Sequence, residues 1–182
     1  MARNDWVQMA PNMDPRGLSA DGLSLASFTT SAPVFPTYAW PANFFRSGKL
    51  IHMRARGEYG TSSSAPNYTW RLQNTVGTTV TIVTSAAITM TASVTNGHWE
   101  FDCQIQCRTE GTSGTLLASG DLNISTSATA STTYYLPVHA TAVATATVDT
   151  TVAQTWGLEV ASSASHANNT VKGVIIEMKT IN

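Results

Sequence analysis

The sequence predicts an all-β fold, an antiparallel β-sandwich or jelly roll of about eight strands behind an extended N-terminal arm. Three observations carry that prediction. Apolar and polar residues alternate with period two over several stretches, as a half-buried strand requires. Turns rich in Gly, Asn and Ser separate these stretches at short intervals. No segment sustains the 3.6-residue period of a helix. A barrel is the second architecture that the pattern allows.

Residues 1–45 differ from the rest and read as the arm, leaving 46–182 as the sandwich domain. Five of the seven prolines fall here: Pro11, Pro15, Pro33, Pro36 and Pro41. Proline removes a backbone donor and confines pairing to sheet edges. One short strand at Leu23–Thr29 is the only regular element expected. The aromatic content suggests contact with the domain or with a partner, and Trp6, Met9, Phe28, Phe35 and Trp40 are the candidate partner-binding anchors. On this reading a chain lacking residues 1–40 would still fold.

Alternation begins after Asn43. In Lys49–Tyr59, residues Ile51, Met53, Ala55, Gly57 and Tyr59 face one way, and His52, Arg54, Arg56 and Glu58 the other. Tyr68, Trp70 and Leu72 repeat the pattern, and a Thr/Val-rich stretch follows at Thr78–Thr84. The clearest strand is His98–Arg108, with Trp99, Phe101, Cys103, Ile105 and Cys107 inward. Glu110–Gly114 supplies a turn, and Thr115–Ile124 returns with Leu116, Ala118, Leu122 and Ile124 inward, completing a β-hairpin. Within the Ser/Thr/Ala-rich stretch 125–147 one strand is expected, at Tyr134–Val138. Gln154–Ala161 and Val171–Lys179 close the chain; in the last, Val174, Ile176 and Met178 are the expected inward residues.

The 182 residues suffice for one domain with a sizeable core. Only 12% are charged, about half the usual share, so Thr, Ser, Asn and Ala must cover the surface. Such surfaces are common where exposed area ends against neighbours, and also in secreted β proteins. The net charge of −1 and the absence of a polybasic run argue against nucleic-acid and membrane partners. The N-terminus lacks the apolar stretch of a signal peptide, and the Asn-x-Ser/Thr sequons at Asn67, Asn123 and Asn168 read as chance matches. Cys103 and Cys107 stand roughly 13 Å apart on one strand, too far for a disulfide, and read as free thiols of a reducing compartment.

No constellation for catalysis emerges, and no cofactor or metal ion is expected. His52, His98, His139 and His166 lack ligands at metal spacing. Glu100 and Asp102 stand about 7 Å apart on one strand face, but neighbours on one strand point in parallel and cannot flank a bond. They are expected to pair with Arg54 and Arg56 if the two strands are adjacent. Ser113 lacks the spacing of a nucleophile elbow. Five of the ten Lys and Arg residues lie between Arg46 and Arg71, which reads as one polar sheet face.

From residue 43 onward the chain resembles tailed-bacteriophage virion proteins with jelly-roll folds, of the capsid cement or decoration type. Three blocks carry the resemblance: Asn43–Thr61, Asn96–Gly120 with its Trp-led strand and glycine hairpin, and Val148–Trp156 followed by Ala164–Glu177. The resemblance implies a non-enzymatic homotrimer, made in the host cytoplasm and fixed to the capsid surface of the virion through the major capsid protein. The alternative is a tail, baseplate or head-fibre component with a receptor- or glycan-binding role, for which Tyr134 and Tyr135 are the nearest aromatic set.

Overall fold

A computed structural model describes residues 22–125, 130–136 and 144–181. The described chain is all β, without a helix, and every strand pairing in it is antiparallel. The strands are β1 (Ser24–Ala26), β2 (Ala32–Pro33), β3 (Tyr38–Trp40), β4 (Leu50–Gly60), β5 (Asn67–Asn74), β6 (Val80–Thr84) and β7 (Ile88–Thr89). They continue with β8 (Gly97–Thr109), β9 (Gly114–Ser125), β10 (Ser131–Leu136), β11 (Ala144–Val148), β12 (Gln154–Ser162) and β13 (Thr170–Ile181).

Two sheets pack face to face. The first runs β1-β13-β4-β8-β9-β10, with β11 also on β9; the second runs β2-β12-β5-β6, with β3 on β12 and β7 on β5. The alternation read from the sequence sets which residues fill the space between them. Ile51, Met53, Ala55 and Tyr59 of β4 are buried, as are Trp99, Phe101, Cys103, Ile105 and Cys107 of β8 and Tyr68, Trp70 and Leu72 of β5. At roughly 1.5–3 kcal/mol for each fully buried large side chain, this layer dominates the driving force for folding.

The expected hairpin forms between β8 and β9, with Gly111 at φ 115° in the turn. The stretch 125–147 differs from expectation. Two strands are present instead of one, β10 and β11, and they share the edge of β9: β10 pairs with Gly120–Ser125 and β11 with Gly114–Ala118. Residues 137–143 lie outside the described chain. The closing strand also differs. Its register on β4 shifts between Gly173 and Ile175, so Val174 is the extra residue of a β-bulge and is only half-buried. Val171 and Gly173 hold the inward places before the bulge, and Ile176 and Met178 after it.

The folded unit begins well before residue 46. β1 extends the edge of β13, and β2 and β3 pair side by side along β12. Val34, Phe35, Tyr38, Trp40 and Phe45 are all buried. Residues 24–45 therefore pack on the sandwich as part of one folded unit: β1 falls within the short strand expected at Leu23–Thr29, whereas β2 and β3 were not expected. The physical reason is a pair of facing glycines. Gly57 on β4 stands directly opposite Gly173 on β13, and neither has a side chain to fill the interior. The Trp99 indole lies over Gly57, the Phe35 ring lies over Gly173, and the two rings meet edge-on with centroids 6.3 Å apart. A second aromatic group centres on Trp40, which contacts Tyr38, Phe44, Phe45 and Trp156 at centroid separations of 4.5–5.6 Å. Proline keeps the strands of this segment short, with Pro33 in the two-residue β2, and the aromatic rings of the segment complete the core.

Buried polar side chains tie the loops. Asn169, fully buried, accepts from the Ser62 backbone N–H at 2.8 Å and donates to the Ala164 carbonyl at 2.9 Å. It thus fastens the β12–β13 connection to the β4–β5 connection. Thr150 binds the Gly111 turn through both its backbone N–H and its hydroxyl, and its carbonyl accepts from Asn43 N–H.

Candidate functional site

Of the five expected anchors, Phe35 and Trp40 lie in the protein's own core at 1% and 3% exposure and are not available to a partner. Phe28 is half-buried, its ring 5.8 Å from that of Tyr68. Trp6 and Met9 lie outside the described residues. The segment still open to the arm reading is therefore residues 1–21, with Phe28 at its margin.

The most organised polar group is on the outer face of the first sheet. Strand register places Arg54 opposite Asp102 and Arg56 opposite Glu100, the pairing that the sequence suggested for adjacent strands. The Arg54 Nε lies 3.0 Å from Glu100 Oε1 and 3.1 Å from Asp102 Oδ2, and Arg56 reaches Glu100 Oε1 at 3.0 Å through Nη2. His52, a diagonal neighbour, holds Asp102 Oδ1 at 2.7 Å through Nε2. That contact was legible only as a diagonal once the β4–β8 register was known. The row continues sideways: Glu177 on β13 stands opposite Arg54, and Asp121 on β9 stands opposite Asp102. Carboxylates directly opposite one another repel, and Arg54 and His52 offset that repulsion at Asp102.

This ladder has the chemistry of an ion-paired surface. Its acids and bases are spread along the sheet and neutralise one another, and among the described residues the hydrogen-bond partners of His52 and Asp102 are each other and Arg54, none of them a nucleophile. Among the described residues no group of three or more His, Cys, Asp or Glu is close enough to hold a metal ion. Tyr135 extends the Asp102–Asp121 row across β10 and is 58% exposed. Tyr134, next to it on the strand, turns inward and packs against the core, so the two rings cannot form one stacking platform.

Two concavities flank this face. One, of about 310 Å³, lies over Leu50, Gln104, Gln106, Leu117 and Ser119 on the sheet itself. The other, of about 610 Å³, sits at one end of the sandwich between the Gly60–Ser63, Ser93–Asn96 and His166–Thr170 segments. Its lining is hydroxyl and amide with one imidazole and no carboxylate. His166 Nδ1 accepts from the Asn168 backbone N–H at 3.1 Å, which fixes the ring to its own loop.

Both thiols are buried on β8, and burial pushes their pKa up from the ordinary value of 9.0. They are held protonated and away from solvent, which is the opposite of a reactive cysteine. No helix of the described residues is long and apolar enough to cross a membrane. Comparison with protein-family models, with curated proteins and with solved structures finds no match to this chain.

Proposed function

We propose that the protein is a non-enzymatic structural subunit of a phage particle, a cement or decoration protein that binds the major capsid protein as a homotrimer on the capsid surface. The observation that carries this reading is the outer face of the first sheet. Its charges are paired across strands, an arrangement that suits contact with a neighbour better than chemistry. The sparse charge of the whole chain points the same way. A jelly-roll arrangement is supported by the pairing of β4 with β13 and of β5 with β12, which sets early and late strands side by side in both sheets.

The test is direct. Purified full-length protein is mixed with empty phage heads lacking their decoration, and binding is measured by co-sedimentation together with the solution mass. Saturable binding at a fixed ratio to the major capsid protein, by a species of three chains, is the expected result. Heads that take up no protein would sink the proposal. The alternative, a tail, baseplate or head-fibre module that binds glycans, draws on the exposure of Tyr135 beside Asp121. A glycan array probed with the wild type and with Tyr135→Ala separates the two readings.

A further inference from the structure

The cleft of about 610 Å³ at one end of the sandwich takes no part in the ion-paired face. Its volume falls in the roughly 300–1,000 Å³ range of small-molecule sites. Hydrogen bonds within the chain already fix its three walls. Thr61 N–H donates to the Val94 carbonyl at 3.0 Å, and the Thr61 hydroxyl accepts from Val94 N–H at 2.9 Å. Ser93 N–H donates to the Ser62 carbonyl at 2.9 Å, which fastens the β7–β8 connection to the β4–β5 connection. Asn169 ties in the third wall: its side chain accepts from Ser62 N–H, and its own N–H donates to the His166 carbonyl at 2.9 Å. Ser93 is held at φ 56°, a left-handed conformation that a serine keeps only where its surroundings fix it. A Cβ on Gly60 would come 2.7 Å from Thr170 Oγ1 and 3.1 Å from the Asn168 carbonyl oxygen, so a glycine is needed where the walls converge.

The groups left over are chemically uniform. The lining has no carboxylate, lysine or arginine. Among the described residues, no hydrogen bond occupies the side chains of Ser63, Thr95, Asn96, Asn168 or Thr170. His166 Nδ1 accepts from a backbone N–H, so the neutral ring carries its proton on Nε2 and offers a donor there.

We propose that this cleft binds a neutral saccharide. Hydroxyls and amides both donate and accept, as the hydroxyls of a sugar do. An anion would call for positively charged donors, and a hard cation for carboxylates, and the lining supplies neither. Preformed walls spare the ligand the cost of ordering the loops. No aromatic ring lines the cleft, so stacking adds nothing and a single site should bind with a Kd of about 1 mM. The site is independent of the capsid reading and does not use Tyr135.

The test is a titration of the isotope-labelled full chain with the methyl glycosides of glucose, galactose, mannose and N-acetylglucosamine, followed by backbone amide shifts. At least one should saturate with a Kd of about 1 mM, its shifts confined to 60–63, 93–97 and 166–170. Glucuronic acid and N-acetylneuraminic acid should bind more weakly. Asn96 sits at φ 55°, so Asn96→Gly removes the amide without straining the backbone. His166→Asn keeps an acceptor for the Asn168 N–H and withdraws the Nε2 donor. Each variant should weaken binding about tenfold with an unchanged urea midpoint, which separates lost contacts from lost folding. Four results would each overturn the proposal: no shifts with any of the neutral sugars, shifts centred on Tyr135 instead of the cleft, acidic sugars bound as tightly as neutral ones, or variants that bind like the wild type.

Discussion

Replacing Phe35 by Ala tests whether the N-terminal aromatics serve the core or a partner. The ring is 1% exposed and lies against Gly173, which faces Gly57. Large-to-small changes of Phe to Ala in a core cost about 3–5 kcal/mol, less where neighbours can collapse into the space. Two facing glycines cannot collapse, since neither has a side chain to move. The edge-on contact with Trp99 is lost as well, worth about 0.5–1.5 kcal/mol. The cost therefore belongs near the top of the range, about 4–5 kcal/mol. With a urea dependence of about 2 kcal/mol per molar, the unfolding midpoint should fall by about 2 M. That is a large part of the roughly 5–15 kcal/mol that holds a domain folded. Phe35→Leu, which conserves most of the volume, should cost under about 1.5 kcal/mol. Urea titration followed by far-UV circular dichroism and Trp fluorescence measures both. If Phe35→Ala keeps the wild-type midpoint, the ring is not in the core and the fold of residues 24–45 is not the one described above.

Asn169→Ala removes two hydrogen bonds and leaves the buried Ser62 N–H without its acceptor, while the Ala164 carbonyl keeps the Ser162 hydroxyl, so a loss of about 1–3 kcal/mol is expected in the same titration. Arg54→Glu places a carboxylate among Glu100, Asp102 and Glu177; discounted for its 45% exposure, the cost should be about 1 kcal/mol at low salt and should shrink in 1 M salt, so a cost indifferent to salt would rule out the ladder as its cause. The thiols of Cys103 and Cys107 and the phenols of Tyr38, Tyr59 and Tyr68 all have pKa values raised by burial from 9.0 and 10.0. The folded state holds those protons more tightly than the unfolded chain does, so their stabilisation is complete below pH 9 and is lost as pH rises. Lys49, lowered by burial, opposes this with a single group. The urea midpoint should therefore be level up to about pH 9 and fall above it, and Cys103→Ala/Cys107→Ala should move the onset toward the tyrosine range.

Strands β4, β5, β8, β9 and β12 were legible because each buries one face, which imposes period two on the sequence. The charged ladder was legible for the same reason: once β4 and β8 are neighbours, Arg54 and Arg56 must meet Asp102 and Glu100. β2, β3 and β7 were not, since two or three residues carry no period. β11 was hidden by its composition, Ala-Thr-Ala-Thr-Val, which contrasts little between faces. Of the inward residues expected on β13, Ile176 and Met178 are buried and Val174 is not, because a bulge shifts parity just before Ile175 and nothing local marks it. Phe35 was taken for an anchor because its burial depends on absences elsewhere, namely the missing side chains of Gly57 and Gly173, and Trp40 because its partners Phe45 and Trp156 are brought to it only by the tertiary fold. Pattern reading along one segment registers what a residue is, and not the hole that a distant pair of glycines leaves for it.

The Gly57–Gly173 pair has a consequence for descent. An ideal Cβ on Gly57 would come 1.9 Å from the Lys172 carbonyl oxygen and 2.6 Å from the Trp99 indole, and one on Gly173 would come 2.3 Å from the Val34 carbonyl oxygen. Gly57, Gly173, Phe35 and Trp99 are therefore sterically coupled and should be inherited as one unit, although 138 positions separate Phe35 from Gly173 along the chain. Lineages that diverge freely in their loops should keep all four or exchange them jointly, a larger residue at one glycine arriving with a smaller one in place of the ring.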